Sequence, residues 1–235
     1  MLLEIAVSKA DKYGVSPGGD TVEITERPTG GVSVVLSDGQ GSGAPGKAIS
    51  SLVVSKAITL IADGARDGAV ARAVHDALYA RRRGQVSATL TMVSADTDHD
   101  ELVISRNSNC PVLLFEEEGE TAVFDDETIP IGTRRMIKPH IVQLPLKVTR
   151  TVLAFSDGIL AAGRSAGSPV TIAELVEFGA GIAQLPAAQI SRGMLDWALA
   201  KDDGRPTDDV SVVALRTAPM DGEPAIREMS VRYPL

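Results

Sequence analysis

Cysteine, histidine and aromatic residues are scarce in this chain of 235 residues, and each scarcity excludes a class of structure. The single cysteine, Cys110, rules out an internal disulfide framework and a cysteine-rich zinc site. The three histidines, His75, His99 and His140, lie far apart without the spacing of zinc ligands, so zinc is not expected as the native metal. Aromatic residues make up only 3%, so the core must be built from valine, isoleucine, leucine and alanine.

Long hydrophobic runs and excess positive charge are also missing. No apolar run approaches the roughly 18 residues that a bilayer-spanning helix needs, and the N-terminus has no basic-then-apolar signal segment. The formal net charge of −8 disfavours a general binder of nucleic acid or anionic membranes. The basic triplet 81–83 leaves a local basic patch open, but the charged end of a helix is the favoured interpretation. We therefore predict a cytoplasmic protein.

Hydrophobic periodicity predicts strands, two helices, a block of strands, two more helices and a closing strand. Thr171 and Glu174 form a capping-box pattern at the start of the third helix. This order predicts an α+β fold with helices on the outer faces of stacked antiparallel sheets. The predicted helices are 47–62, 67–82, one from 171 and 186–201; the predicted strands are 3–8, 21–27, 32–36, 86–93, 101–105, 112–115, 121–124, 140–146, 151–155 and 210–215.

The last part of the chain is predicted to lie outside the main domain. Residues 217–235 contain three prolines and one alternating run, 226–231. We interpret this segment as an appended edge strand or a tail, which leaves 1–216 as the main domain.

Four acidic positions mark the boundaries of the apolar runs. Asp38 and Asp157 end two such runs, and Asp208 stands before a third. Because a buried strand that stops or starts at a carboxylate places it at the rim of a sheet, these rims can converge on one or two hard divalent cations. Such an all-oxygen site suggests phosphate chemistry. The four positions are Gly19-Asp20, Asp38-Gly39, Asp157-Gly158 and Asp208-Asp209.

The chemistry of such a site follows from charge. Carboxylates that are packed together repel each other and stay partly protonated without a cation. Two bound Mg²⁺ or Mn²⁺ ions can neutralise them, share one water and lower its pKa toward neutrality, so that a hydroxide attacks phosphorus in line. Gly39 allows a sharp turn directly after Asp38, which lets its carbonyl bind the same ion. A lone Asp-Gly is usually an ordinary turn, so the prediction depends on the four positions occurring together.

A competing motif lies in the glycine-rich loop. Residues 41–47 fit the phosphate-cradling pattern G-x-x-x-x-G-K. However, Ala48 stands where serine or threonine would hold Mg²⁺, and the charge of Asp38 would oppose a triphosphate. A nucleotide-binding switch that uses Gly41 to Lys47 is therefore a weaker alternative.

Six segments together resemble the metal-dependent protein phosphatases (PPM, type 2C), in the branch of SpoIIE and RsbX. The chain is most similar to RsbX-type feedback phosphatases of the bacterial stressosome. The resemblance implies a four-layer αββα sandwich with two ions, Mn²⁺ or Mg²⁺, in the cleft between the sheets. The matching segments stand in the family's order and cover about residues 1–216: Gly18-Gly19-Asp20, Ser37 to Gly43, Val86 to Thr89, Asn107 to Pro111, Ser156-Asp157-Gly158 and Asp208 to Ser211.

The resemblance also implies residue roles. Asp38 and Asp157 are the implied catalytic residues, and Asp38 would bridge both ions while the Gly39 carbonyl binds the first. Asp157 and Asp208 would hold the second ion, with Asp209 left open as an alternative ligand. Asp20 would act through a water. The implied activity is that of a phosphatase for phosphoserine and phosphothreonine, acting on phosphorylated stressosome scaffold or antagonist proteins.

Three features depart from the family pattern. Gln40 stands where many eukaryotic-type members have a histidine, and no residue matches the eukaryotic phosphate-binding arginine, for which Lys9 or Lys12 are weak substitutes. These two departures keep open a rival hypothesis, a non-catalytic relic of the fold that binds phosphoproteins. Asn109-Cys110 replaces the commoner Gly-His, which leaves the details of that loop open.

Overall fold

Two antiparallel sheets of five strands lie face to face in the computed structural model, which describes residues 1–117, 119–220 and 226–233. Sheet A has the order β1 (Leu2–Ala10), β10 (Val210–Ala218), β9 (Arg150–Phe155), β6 (Val112–Glu116) and β7 (Thr121–Phe124). Sheet B has the order β2 (Asp20–Glu26), β3 (Gly31–Asp38), β4 (Leu90–Asp96), β5 (Glu101–Asn107) and β8 (His140–Pro145).

Helices cover the outer face of each sheet. Two long helices, α1 (Gly43–Ala62) and α2 (Asp67–Arg82), pack on sheet B, while α4 (Ile172–Ile182) and α5 (Ala187–Lys201) pack on sheet A. A single-turn helix, α3 (Gly158–Ala161), follows β9 and was not predicted. The result is a four-layer αββα sandwich, which confirms the predicted fold class.

Three hydrophobic clusters hold the layers together. One lies between the sheets, and the other two lie between each sheet and its helices. Val34 and Val35 on β3 show why the apolar runs are continuous: Val34 belongs to the cluster between the sheets and Val35 to the cluster under α1 and α2. Because successive side chains of a strand point to opposite faces, a strand covered on both faces needs apolar residues throughout.

Element boundaries differ from the predictions mainly around the glycine-rich loop. Helix α1 begins at Gly43 rather than at residue 47, so part of the predicted loop is its first turn. Strand β4 begins at Leu90, and Ala88 before it forms isolated bridges with Gly39 and Ile131. The capping box at the start of α4 and the bounds of α2 agree with the sequence analysis.

Helix α1 corrects the expectation that no segment is long and apolar enough to cross a membrane. Its 20 residues pass a test of length and hydropathy for a membrane span. Its apolar side chains have another explanation, because Val53, Ala57 and Ile61 are completely buried between α2 and sheet B. A core helix passes the same test, so the cytoplasmic location stays a prediction.

The C-terminal segment is described in part. Strand β10 continues to Ala218, past the predicted domain boundary at 216. The described residues 226–233 contain no strand, and Ile226 and Val231 are exposed there. Residues 221–225 and 234–235 of the predicted extension lie outside the described residues.

A buried ion pair attaches the N-terminus of α2 to sheet B. The Arg27 guanidinium donates to the Asp67 carboxylate at 3.3 Å and to the Ser33 hydroxyl at 3.0 Å. The Ser94 hydroxyl donates to the other Asp67 oxygen at 2.6 Å. Because both charged side chains are almost completely buried, the loss of Asp67 leaves the Arg27 charge in the interior without its close partner, since the second carboxylate, that of Asp96, is farther from Arg27, at 3.9 Å.

We expect Asp67→Ala to lower the free energy of unfolding by about 3–5 kcal/mol, the cost of leaving one member of a buried pair alone. Urea unfolding followed by circular dichroism measures the change. Asp196→Ala is the matched control, because its pair with Arg192 is exposed and is expected to contribute little. Equal losses in both variants would contradict the role of the buried pair.

Candidate metal centre

The pairing of β2 and β3 brings two of the predicted aspartates together. Asp20 and Asp38 are direct partners across these strands, at the end of sheet B. The backbone of Asp38 is fixed by Thr89, whose hydroxyl accepts from the Asp38 N–H at 2.9 Å and whose N–H donates to the Asp38 carbonyl at 2.9 Å. Gly39 follows without space for a side chain, since a Cβ there would collide with the Gly46 carbonyl.

Asp157 comes from the other sheet and shares a cleft with Asp38. It lies two residues after the end of β9 and caps the N-terminus of α3. The cleft has a volume of about 250 Å³ and is lined by Asp38, Gln40, Ser87, Ala88, Thr89, Asn109, Pro130 and Asp157. The two aspartates therefore line the same cleft, and their role as ligands stays a prediction.

The carboxyl groups around the cleft disturb each other electrostatically. The pKa of Asp38 is raised to about 8, first by burial and then by the charges of Asp20, Asp157, Asp208 and Asp209. The pKa of Asp157 is also raised, by burial and by the charge of Asp208. These carboxyl groups come from both sheets, yet each is close enough to oppose the ionisation of its neighbours.

Asp20 is the most deeply buried of these carboxyl groups. Its residue is 1% exposed, and within the described part of the chain neither of its carboxylate oxygens has a hydrogen-bond partner. Burial raises its pKa to about 6, although the nearby Ser156 and Ser211 hydroxyls lower it in part. A buried polar atom without a partner is costly, and a bound cation or a water that the cation holds would satisfy it.

The adjacent aspartates Asp208 and Asp209 have different surroundings. Asp209 is buried, and its two oxygens accept from the Lys12 N–H at 2.8 Å and the Gly19 N–H at 2.6 Å. It thereby anchors the segment between β1 and β2. Asp208 is half-buried and its charge acts on both Asp38 and Asp157. The geometry therefore favours Asp208 over Asp209 as a ligand.

The donor set suits hard cations. Carboxylate oxygens and a backbone carbonyl are the ligands that Mg²⁺ and Mn²⁺ prefer. Across residues 1–117, 119–220 and 226–233, no three acidic, histidine or cysteine side chains already form a closed group for a cation.

The competing nucleotide motif is contradicted. Lys47 lies in the first turns of α1, and its ammonium donates to the Asp20 carbonyl at 2.8 Å and to the Thr21 hydroxyl at 2.9 Å. The ammonium is therefore engaged with the protein beside the acidic centre. Lys9 is likewise not simply solvated, since it donates to the same Asp20 carbonyl at 2.8 Å.

Two further side chains in or beside the cleft have structural roles. The Gln40 amide oxygen accepts from the Ser87 N–H at 2.8 Å, so this side chain joins two cleft segments. Cys110 is buried, and burial raises the pKa of its thiol, which keeps it protonated and unreactive.

Comparison with known proteins identifies the family. The family model for Stage II sporulation protein E (SpoIIE) matches residues 28–218, most of the chain. The chain belongs to the SpoIIE family. Its fold is that of PP2C-type serine/threonine phosphatase domains. Asp20 precedes the matched segment of this SpoIIE-family chain, and no curated protein matches.

Solved structures support the fold. The phosphatase domain of SpoIIE from Bacillus subtilis, with a fragment of its regulatory domain, is 17% identical with a TM-score of 0.79, covering 92% of this chain and 63% of that one. The RsbU and RsbW domains of Rv1364c from Mycobacterium tuberculosis are 20% identical with a TM-score of 0.78, covering 92% and 60%. This chain therefore spans about three fifths of each of these two structures.

A third structure holds metal. The catalytic domain of the phosphatase PstP, in complex with two manganese ions, is 19% identical with a TM-score of 0.71 and covers 92% of this chain and 99% of that one. Metal dependence is general in the PP2C family. The RsbX-type assignment within that family stays a prediction.

The raised pKa of Asp38 predicts how stability depends on pH without metal. Between its ordinary value of 3.8 and about 8, the carboxyl keeps its proton in the folded state but loses it on unfolding, so stability falls as pH rises. We expect Asp38→Asn to be more stable than the wild type at pH 8 and no more stable at pH 4. Urea unfolding in EDTA at the two pH values measures this.

The control for that measurement is Asp63→Asn, at the C-terminal end of α1 and away from the cleft. It is expected to change stability little at either pH. A wild type that becomes steadily more stable from pH 4 to pH 8, relative to Asp38→Asn, would contradict the crowded-carboxyl account.

Proposed function

We propose that this chain is a metal-dependent phosphoprotein phosphatase that hydrolyses phosphoserine and phosphothreonine. The observation that carries the proposal is the convergence of Asp38 and Asp157 on one cleft, where burial first and then other carboxyl groups from both sheets raise the pKa of Asp38. Such a cluster of carboxyl groups destabilises the folded state of a metal-free protein and suits a pair of dications. Membership of the SpoIIE family supports the same reaction class.

Each acidic residue has a role in the proposal. Asp38 and the Gly39 carbonyl would hold the first ion, and Asp38, Asp157 and Asp208 would hold the second. Asp20, whose buried carboxylate oxygens have no hydrogen-bond partner among the described residues, would act through a water. When bound, the two dications neutralise the carboxylates and activate a water for attack on phosphorus. Mn²⁺ or Mg²⁺ fits the donors, and a manganese-bound relative supports the former.

The chain's own residues shape the cleft for that reaction. Thr89 fixes the Asp38 backbone from both sides, which aims the carboxylate into the cleft. Gln40 is tied to Ser87, and an amide has no proton to release, so the leaving group takes its proton from solvent. This makes turnover slower than in relatives that place a histidine there.

The finer proposal concerns the substrate. The cleft is small, at about 250 Å³, which suits a single phosphorylated side chain presented by another protein. We propose stressosome scaffold or antagonist phosphoproteins, and an RsbX-type role, as the substrates and setting. The similarity to a structure that contains RsbU and RsbW domains supports this choice.

We expect the purified protein to release phosphate from phosphoserine and phosphothreonine peptides with Mn²⁺ and to release none with EDTA. Asp38→Asn should lower kcat at least about 100-fold, since it removes the charge that holds both ions. A malachite-green assay measures phosphate, and circular dichroism checks the fold.

Asp63→Asn is the matched control, because this exposed aspartate at the C-terminal end of α1 does not line the cleft. It should retain wild-type turnover. Binding of phosphoproteins without phosphate release at saturating Mn²⁺ would support the non-catalytic relic and overturn the enzyme. Unchanged turnover in Asp38→Asn would overturn the metal centre itself.

A further inference from the structure

A group of cationic side chains lies beside the cleft, in a chain whose net charge is −8. The group comes from two segments, and all of its members are exposed. Within residues 1–117, 119–220 and 226–233, no ion pair joins any of them to a carboxylate. We call this group the basic rim, and its members are Arg81, Arg82, Arg83, Arg134, Arg135 and Lys138.

The two segments of the basic rim lie side by side. Helix α2 ends at Arg82, and Gly84 follows it closely. A Cβ placed on Gly84 would lie 3.5 Å from the Thr133 carbonyl, so the two backbones are in contact there. The cations 81–83 precede this contact on one segment and 134–135 follow it on the other, so their charges belong to one surface.

The second segment is held in place on both sides of its arginines. The Gly132 N–H donates to the buried His75 ring at 3.1 Å, which ties the segment to α2. Ile131 and Ala88 exchange backbone hydrogen bonds of 2.8 and 3.0 Å. Further along, Ile137 packs against the hydrophobic cluster under α1 and α2. The cations between these anchors are therefore preorganised, which lowers the entropy cost of binding a partner.

Both segments lead directly from the wall of the cleft. Ser87 and Pro130 line the cleft, and they stand four residues from Arg83 and four residues from Arg134 respectively. Four residues of chain span at most about 14 Å. When a phosphorylated side chain of another protein enters the cleft, the residues that flank it are therefore within reach of the basic rim.

The end of helix α2 explains only part of the basic rim. Arg81 and Arg82 stand in the last turn of α2, where cations complement the helix dipole. Arg134, Arg135 and Lys138 lie outside any helix and gain nothing from that dipole. Like charges that are gathered without acidic partners repel one another, so the basic rim suits an acidic partner.

The surroundings of the basic rim favour a peptide over an anionic membrane. A flat bilayer would also face the exposed acidic residues 125–127 at the start of the second segment, which would repel it. A peptide chain is narrow and can lie along the basic rim without meeting those residues. Met136, which is 83% exposed beside Arg135, adds an apolar contact of the kind that is common at protein interfaces.

We propose that the basic rim is a docking surface for acidic residues that flank the phosphorylated side chain of a protein substrate. The inference rests on the proposed phosphatase function and narrows its substrates to phosphoproteins with an acidic segment beside the phosphorylated residue. Complementary charge selects partners and speeds their encounter, so docking on this exposed surface is expected to weaken as salt rises.

Fluorescence anisotropy of two labelled peptides tests the docking surface, with the full chain and Mn²⁺. Both peptides carry a non-hydrolysable phosphonate analogue of phosphoserine, flanked on both sides by glutamates in one peptide and by glutamines in the other. The wild type should bind the acidic peptide at least about tenfold more tightly at about 50 mM salt. The difference should shrink at about 300 mM salt, because screening weakens exposed charge pairs.

Arg134→Gln/Arg135→Gln is the test variant, and Lys56→Gln/Arg66→Gln is its charge-matched control. Lys56 lies in the C-terminal half of α1, and Arg66 precedes α2 at the end opposite to the basic rim; both are exposed. The test variant should bind the acidic peptide about three- to tenfold more weakly than the wild type does. The control should bind it as the wild type does, and circular dichroism checks the fold of both.

Equal affinity of the wild type for the two peptides would overturn the docking surface. Equal weakening in both double variants would also overturn it, since a general loss of positive charge would then explain the effect. If the peptides bind equally and only Arg134→Gln/Arg135→Gln loses binding to phosphatidylglycerol vesicles, the basic rim belongs to a membrane contact instead. A wild type that prefers the acidic peptide but releases no phosphate from phosphoserine peptides would overturn the proposed enzyme and leave the docking surface standing.

Discussion

The repulsion among carboxyl groups at one end of the sandwich is the constraint on which the rest of the structure depends. Asp38 lies near four other aspartates, and burial first, then their charges, raise its pKa to about 8. Cationic side chains offset these charges only in part: Lys9 acts on Asp20 and Arg164 acts on Asp157, while the Lys9 and Lys47 ammonium groups donate to the Asp20 carbonyl. Without a cation, these crowded carboxyl groups therefore destabilise the folded state. Cation binding removes this destabilisation, so metal affinity and fold stability are coupled.

The two-sheet architecture assembles this cluster from distant parts of the chain. Sheet B supplies Asp20 and Asp38 as cross-strand partners, and sheet A supplies Asp157 at the end of β9 and Asp208 before β10. The hydrophobic layer between the sheets fixes the distance between the aspartates of sheet B and those of sheet A. Any change in the packing of the two sheets would therefore alter the electrostatics of the cleft as well as stability.

The ends of the strands were the part of the site that the sequence could predict. A continuous apolar run means burial on both faces, and the polar residues that follow its end lie at the rim of the sheet, which located Asp38 and Asp157, each one residue beyond a serine. The pairing of one strand with another cannot be predicted from apolar runs in the same way. That Asp20 lies directly across from Asp38 depends on a register that the turn between β2 and β3 sets.

Other features depended on tertiary contacts that composition does not reveal. The different surroundings of Asp208 and Asp209 come from two backbone N–H groups, of Lys12 and Gly19, far away in sequence. Helix α1 begins at Gly43 because its glycines allow close approach to the loop after Asp38, whereas their propensity alone argues for a loop. Arg106, which is buried at the end of β5, had no signal of its own, since a buried arginine resembles any surface arginine in a sequence.

The composition of the cleft also limits the chemistry that the chain can perform without solvent. Among the residues that line it are carboxyl, amide and hydroxyl groups, with no histidine, lysine or cysteine. The histidines of the chain are engaged elsewhere: the His75 ring accepts from the Gly132 N–H at 3.1 Å, His99 lies beside Asp96, and His140 beside Asp126. A leaving group that departs from this cleft must take its proton from water. In the proposed hydrolysis, rate enhancement then depends on charge and orientation rather than on a side-chain acid. The residues that form the walls of the cleft must therefore keep Asp38 and Asp157 in place.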